Sequence, residues 1–197
     1  MEHGKPIPKK RKSTYICAEF TEIMTAKNKV LIGLVIAALI SRIAPHYPNF
    51  TAMGALAFMG AHQNKSLFKI LALTFGVLMV TDVFINNLIY PSGSFVLMYK
   101  GSIWTYAGFI IYAVAGHYAK GGTKSIVALI IGSVGFFLLS NLGVFLSEFS
   151  LFPRTISGLM ATYAAGLPFY APELISTALF SAIAYAAEIK LVATAKA

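Results

Sequence analysis

Apolar residues run along this chain in blocks of membrane-crossing length, separated by short polar clusters that carry most of its prolines and charges. A hydrocarbon core of about 30 Å takes about 20 helical residues to cross. The blocks therefore predict helices over 28–44, 50–62, 66–90, 102–119, 125–147 and 172–190, of which the second is short. A further apolar stretch, 155–169, is rich in small residues and bounded by Pro153 and Pro168, which predicts a re-entrant or interfacial half-helix before the last helix. The expected fold is all-α: a polytopic bundle of six transmembrane helices over 28–190, with a basic tail over 1–27 and a short tail over 191–197.

Composition agrees with that pattern, because 57% hydrophobic and 12% charged residues in 197 lie far outside the needs of a soluble domain. The single cysteine, Cys17, can form no internal disulfide. The basic start followed by VLIGLVIAALI has the outline of a secretory signal, but Arg42 follows the apolar run and Pro45 stands where cleavage would fall. An uncleaved first helix behind a basic cytoplasmic tail, resting on anionic headgroups, fits better. The net charge of +9 sits largely in that tail without aromatic interleaving, so no nucleic-acid partner is expected.

Lys and Arg are retained on the cytoplasmic face, which tests the threading. With both termini inside, the inner segments hold Lys5, Lys9, Lys10, Arg11, Lys12, Lys27, Lys29, Lys65, Lys69, Lys120, Lys124, Lys190 and Lys196, leaving Arg42, Lys100 and Arg154 outside. A topology with one helix fewer would scramble that bias. SRIAPHYPN (41–49) then reads as a tight outer hairpin, in which Pro45 and Pro48 end the helix and Arg42 snorkels to the interface.

Polar groups inside a membrane are expensive to bury, so their depth is informative. Asp82 and Asn86 share a face of the third helix at i, i+4, with Tyr90 a turn further out. Ser140, Asn141 and Glu148 come late in the fifth helix, Trp104 and Tyr106 open the fourth, Glu173 opens the sixth, and Asn49 and Thr51 open the second. All of these fall in the outer half, above an inner half of Leu, Ile, Val, Phe and Ala. That asymmetry predicts a cavity open to the outside and closed below, lined by Asn49, Thr51, Asp82, Asn86, Trp104, Asn141 and Glu148, and suited to a small molecule. Competing readings stay open: an interhelical bond from Asp82 to Asn141 or a hydroxyl, and an ordinary aromatic belt for Trp104 and Tyr106. Gly33, Ala37 and Ser41 form a strip of small residues on the first helix, against which either a partner or the bundle's own helices could pack.

Enzyme chemistry is not expected. GHYAKGGT (116–123) has two glycines at phosphate-loop spacing, but Gly122 stands where the lysine belongs and no strand precedes it. No cluster has metal-ligand spacing, and no cofactor is implied. Asp82 with Glu148 is the one acid pair available for intramembrane catalysis.

PNFTAMGALAFMGA (48–61), TDVFINN (81–87), SNLGVFL (140–146) and FPRTISGLMATYAAGLPF (152–169) resemble signature stretches of a bacterial family of small six-helix membrane proteins described as transport proteins. That family is similar to the substrate-binding S components of energy-coupling factor transporters. The resemblance implies a multi-pass protein of the bacterial inner membrane that captures a micronutrient and docks on a transmembrane coupling protein driven by ATPases. It further implies that Gly33, Ala37 and Ser41 form the docking face, and that the first outer loop, with His46 and Tyr47, acts as a lid. The alternative function is a structural or assembly subunit of a larger membrane complex without a ligand of its own.

Overall fold

A computed structural model describes residues 9–64, 66–119, 121–148 and 150–195. Among the described residues the chain is all-helical: α1 (Lys9–Ile43), α2 (Met53–Gln63), α3 (Leu67–Phe84), α4 (Ser102–Tyr118), α5 (Gly122–Leu146) and α6 (Ile156–Ala195), with one π-helical turn (Ile85–Ile89) continuing α3. Four segments are long and apolar enough to cross a membrane: Ile23–Ile43, Leu67–Ile89, Gly122–Leu146 and Ile156–Thr194. Their exposed faces carry Ile32, Ile36, Ile40, Val80, Ile126, Ile131, Ile175 and Ile183, as a surface bathed in lipid requires.

Successive helices run up and down. Ser41 near the end of α1 meets Ala52 at the start of α2, Asp82 late in α3 meets Tyr106 early in α4, and Trp104 lies under Gly143 late in α5. The last residues of α1, α3 and α5 and the first of α2 and α4 thus gather at one end, the hairpin end. At the opposite, tail end, Gln63 of α2 and Lys27 of α1 both reach Glu188 of α6.

The centre of the bundle is α2, whose 11 residues are buried throughout except for a partly exposed His62. At about 1.5 Å per residue it is far too short to cross a bilayer. It has become a core helix, packed against α4 and α6 with α1 and α3 alongside. Small residues permit this: a Cβ on Gly116 would lie 2.0 Å from the Phe58 carbonyl oxygen, and one on Gly54 would lie 2.0 Å from Thr177 Oγ1. Around these contacts Met53, Leu56, Phe58, Ile70, Leu78 and Tyr112 are fully buried.

Three expectations are corrected here. No separate half-helix precedes α6, because 156–169 belongs to one helix of 40 residues that carries Pro168 and Pro172 inside it. Proline removes a helical donor, so Pro168 and Pro172 leave the Ala164 and Pro168 carbonyls without their N–H partners; between the two prolines the Asn49 amide donates to the Phe169 carbonyl at 3.4 Å, tying the first hairpin to α6 at this point. The basic tail expected over 1–27 is helical from Lys9 onward, and α6 continues through most of 191–197. Extending an existing helix adds one hydrogen bond per residue fixed, whereas nucleating a new one is unfavourable. Residues 1–8, 196 and 197 lie outside the described residues, as do the side chains of Lys9, Lys10, Arg11 and Lys12.

Candidate functional site

At the hairpin end the helices enclose a cavity of about 610 Å³. Its mouth carries His46, Pro48, Asn49 and Lys100; its walls carry Phe136, Phe137, Ser140 and Asn141 of α5, and Gly166, Phe169 and Tyr170 of α6; Glu173 and Thr177 line it where α6 meets Gly54. The volume lies within the range of small-molecule sites, and a mainly apolar, aromatic wall with a few polar groups is the usual composition of one.

The hairpin that forms the mouth is locally encoded. Pro45 and Pro48 interrupt helix formation, and Asn49 takes a left-handed φ of 64°, which its short amide side chain tolerates better than most residues. The Phe50 N–H donates to the Tyr47 carbonyl at 2.9 Å, closing the turn. Ala52, at the start of α2, has no capping side chain of its own, and its N–H donates instead to Ser41 Oγ at 2.9 Å. The small residue on α1 therefore anchors α2.

Arg42 corrects the expectation that it snorkels outward. Its Nε donates to Thr81 Oγ1 at 2.7 Å and its Nη2 to Asp82 Oδ1 at 2.5 Å, and the Asp82 side chain is only 3% exposed. Tyr106 donates its hydroxyl to the other carboxylate oxygen at 3.1 Å. The group clamps α1, α3 and α4 together, and a buried carboxylate is satisfied there by a charged and a neutral donor. Arg42 lines the cavity, but its charge is matched by Asp82.

The other expected site residues divide in two. Asn49, Thr51 and Asn141 line the cavity, as does His46 of the supposed lid. Asp82, Asn86, Trp104 and Glu148 do not. Trp104 is a spacer, with its Cβ and Cγ where a side chain on Gly143 would have to go. Glu148 is 63% exposed and paired with Lys100 at 2.5 Å. Asn86 lies within the π turn, whose i→i+5 bonding takes the backbone out of the 3.6-residue register, so the stripe expected through Asp82, Asn86 and Tyr90 does not continue: Tyr90 is 74% exposed. Its neighbour Asn87 accepts from the Val96 N–H at 2.8 Å and donates to the Val96 carbonyl at 2.7 Å, pinning the loop before α4. Tyr47 is exposed, Gly33 has nothing within 4 Å of a built Cβ, and Ala37 packs partly on the core.

Glu173, which sequence reasoning placed at the start of the last helix and left out of the cavity lining, borders the cavity. It is 6% exposed, and three hydroxyls converge on its carboxylate: Tyr112 of α4 at 2.5 Å, Ser133 of α5 at 2.8 Å and Thr177 of α6 at 3.3 Å. No basic side chain pairs with it among the described residues. Placing the last helix at 172 put Glu173 at a membrane interface, whereas α6 begins at Ile156 and carries it about 25 Å further along its axis. The usable signal was a lone acid in a long apolar run, directly after Pro172.

The tail-end half is not uniformly dry, contrary to expectation. Gln63, 6% exposed, donates to Glu188 at 2.9 Å, and Lys27, His62 and Tyr185 join them around a second cavity of about 420 Å³. Between the two cavities Phe58, Ile70, Ala113 and Ala184 are buried, interrupted by the hydroxyls of Thr74 and Ser181. Among the described residues no cluster of His, Cys, Asp and Glu could hold a metal ion.

Comparison with curated proteins and with solved structures finds no match. A family model does match, over residues 23–196, which takes in every helix that builds the cavity. The chain belongs to that family, a family of unknown function (DUF6580).

Proposed function

We propose that this chain is a multi-pass membrane protein that captures a small molecule in the hairpin-end cavity, as the substrate-binding subunit of a transport system. The observation that carries the reading is the cavity itself, walled by aromatic rings and amides and backed by a buried carboxylate. In this reading α4 crosses the membrane and α2 is held within the bundle, both termini are cytoplasmic, and the cavity faces outward, as the lysine and arginine bias favours. The resemblance to S components suggests a transmembrane coupling protein and ATPases as partners. On α1, Gly33 and the exposed Ile32, Ile36 and Ile40 are available to such a partner, while Ser41 is committed to α2.

Ligand-induced thermal stabilisation tests the reading. A compound at 100 times its Kd adds about 2.7 kcal/mol, which for a chain of this size raises Tm by roughly 5–10 °C. The screen covers vitamins, nucleobases and metal ions. A second reading, an assembly subunit, is favoured by one observation: Asp82, Trp104 and Glu148 engage the protein's own helices and loops. Such a subunit would co-purify stoichiometrically with fixed partners and respond to no compound.

A further inference from the structure

Among the described residues every charge that borders the hairpin-end cavity has an opposite except one. Arg42 is matched by Asp82 and Lys100 by Glu148. Arg154, near the same end, donates to the Leu146 and Ser147 carbonyls at 3.0 and 2.8 Å, where a cation meets the C-terminus of α5, and it lies over the Phe145 ring. His46 at the rim contacts the Ala44 carbonyl through Nδ1 at 2.7 Å. Glu173 remains: it borders the cavity, and its contacts are three neutral hydroxyls.

Removing a carboxylate from water costs several kcal/mol, and neutral hydrogen bonds offset only part of that. An arriving cation would supply the missing charge. The rest of the lining says which cation. Phe109, Phe136, Phe137, Phe169 and Tyr170 border the cavity together with Glu173, and aromatic faces attract ammonium groups that carry little water. A hard metal ion wants several oxygen ligands of its own, and one carboxylate among rings does not provide them. We infer that the ligand is a small organic cation, a quaternary ammonium or protonated amine, whose charged nitrogen sits near Glu173 with its apolar body against the α5 and α6 rings. This rests on the binding reading above and names its substrate class.

The test uses the full chain in lipid nanodiscs and pairs of probes alike in shape but not in charge. Choline is set against its neutral isostere 3,3-dimethylbutan-1-ol, and benzylamine against benzyl alcohol and benzoate, with Kd taken from the concentration dependence of Tm. The cations are expected to bind about tenfold or more tighter than their neutral partners. Glu173→Gln, which keeps a hydrogen-bonding side chain of the same size, should lower that ratio severalfold, leaving only the preference the rings supply. Should that variant not fold, Phe137→Leu removes a ring from the wall and should lower the ratio on its own. Equal binding of cation and isostere, or tighter binding of benzoate, overturns the cation assignment and leaves the binding reading standing. If neither these probes nor the vitamin, nucleobase and metal screen produces any shift, both fall.

Discussion

Gly54 gives the sharpest test of how the cavity is held together. Replacing it with alanine places a Cβ 2.0 Å from Thr177 Oγ1 and 3.0 Å from both Thr177 Cβ and Cγ2, where ordinary contacts lie at about 3.5–4.0 Å. Rotating Thr177 about χ1 does not relieve this, since its methyl carbon and its Cβ are also too close. Helices α2 and α6 must separate by about 1 Å, in a region where Met53, Ala55 and Leu56 are fully buried. Overpacking of this kind costs about 1–3 kcal/mol, and the better helix propensity of alanine returns somewhat under 1 kcal/mol. A Cβ this close belongs in the upper half of that range, so a net loss of about 1–2 kcal/mol should lower Tm by roughly 2–8 °C. Gly33→Ala is the control: nothing lies within 4 Å of its built Cβ, so the same change should leave stability equal or slightly raised. Thr177→Ala deletes the two outer clashing atoms, so the double variant should lose less than the sum of the singles, by about 1 kcal/mol. Thermal unfolding in a single detergent, followed by circular dichroism, reads all four proteins. A Gly54→Ala variant as stable as the parent, or strict additivity with Thr177→Ala, would refute the close approach of α2 and α6.

The two ion pairs at the hairpin end should behave oppositely. Arg42→Ala strands the buried Asp82 carboxylate and should cost about 3–5 kcal/mol, most of it recovered when Asp82→Leu is added to Arg42→Met, whereas Lys100→Ala in an exposed pair should change stability by about 1 kcal/mol or less; Tm measurements on the four variants decide. Replacing His46 and Tyr47 together should speed ligand release in a washout assay without lowering yield, because both are exposed and only His46 borders the cavity; unchanged retention removes the lid.

Hydropathy was enough to define an all-helical chain with membrane-crossing segments and the order of its helices, because a bilayer forces apolar length onto the primary structure itself. Asn49, Thr51 and Asn141 were legible as cavity residues for the same reason: a lone amide or hydroxyl in an apolar run has few places to go. What the sequence did not reveal was which polar groups satisfy one another. Arg42 and Asp82 stand 40 residues apart and read as a snorkelling arginine and a cavity-lining acid until the fold brings them to 2.5 Å. Two prolines looked like the end of one helix and the start of another, yet α6 passes through both, packed within the bundle and tied to the first hairpin through Asn49. That continuity carries Glu173 from a supposed interface into the bundle. Charge matching and burial depth arise from pairs of distant residues, and only tertiary packing decides them.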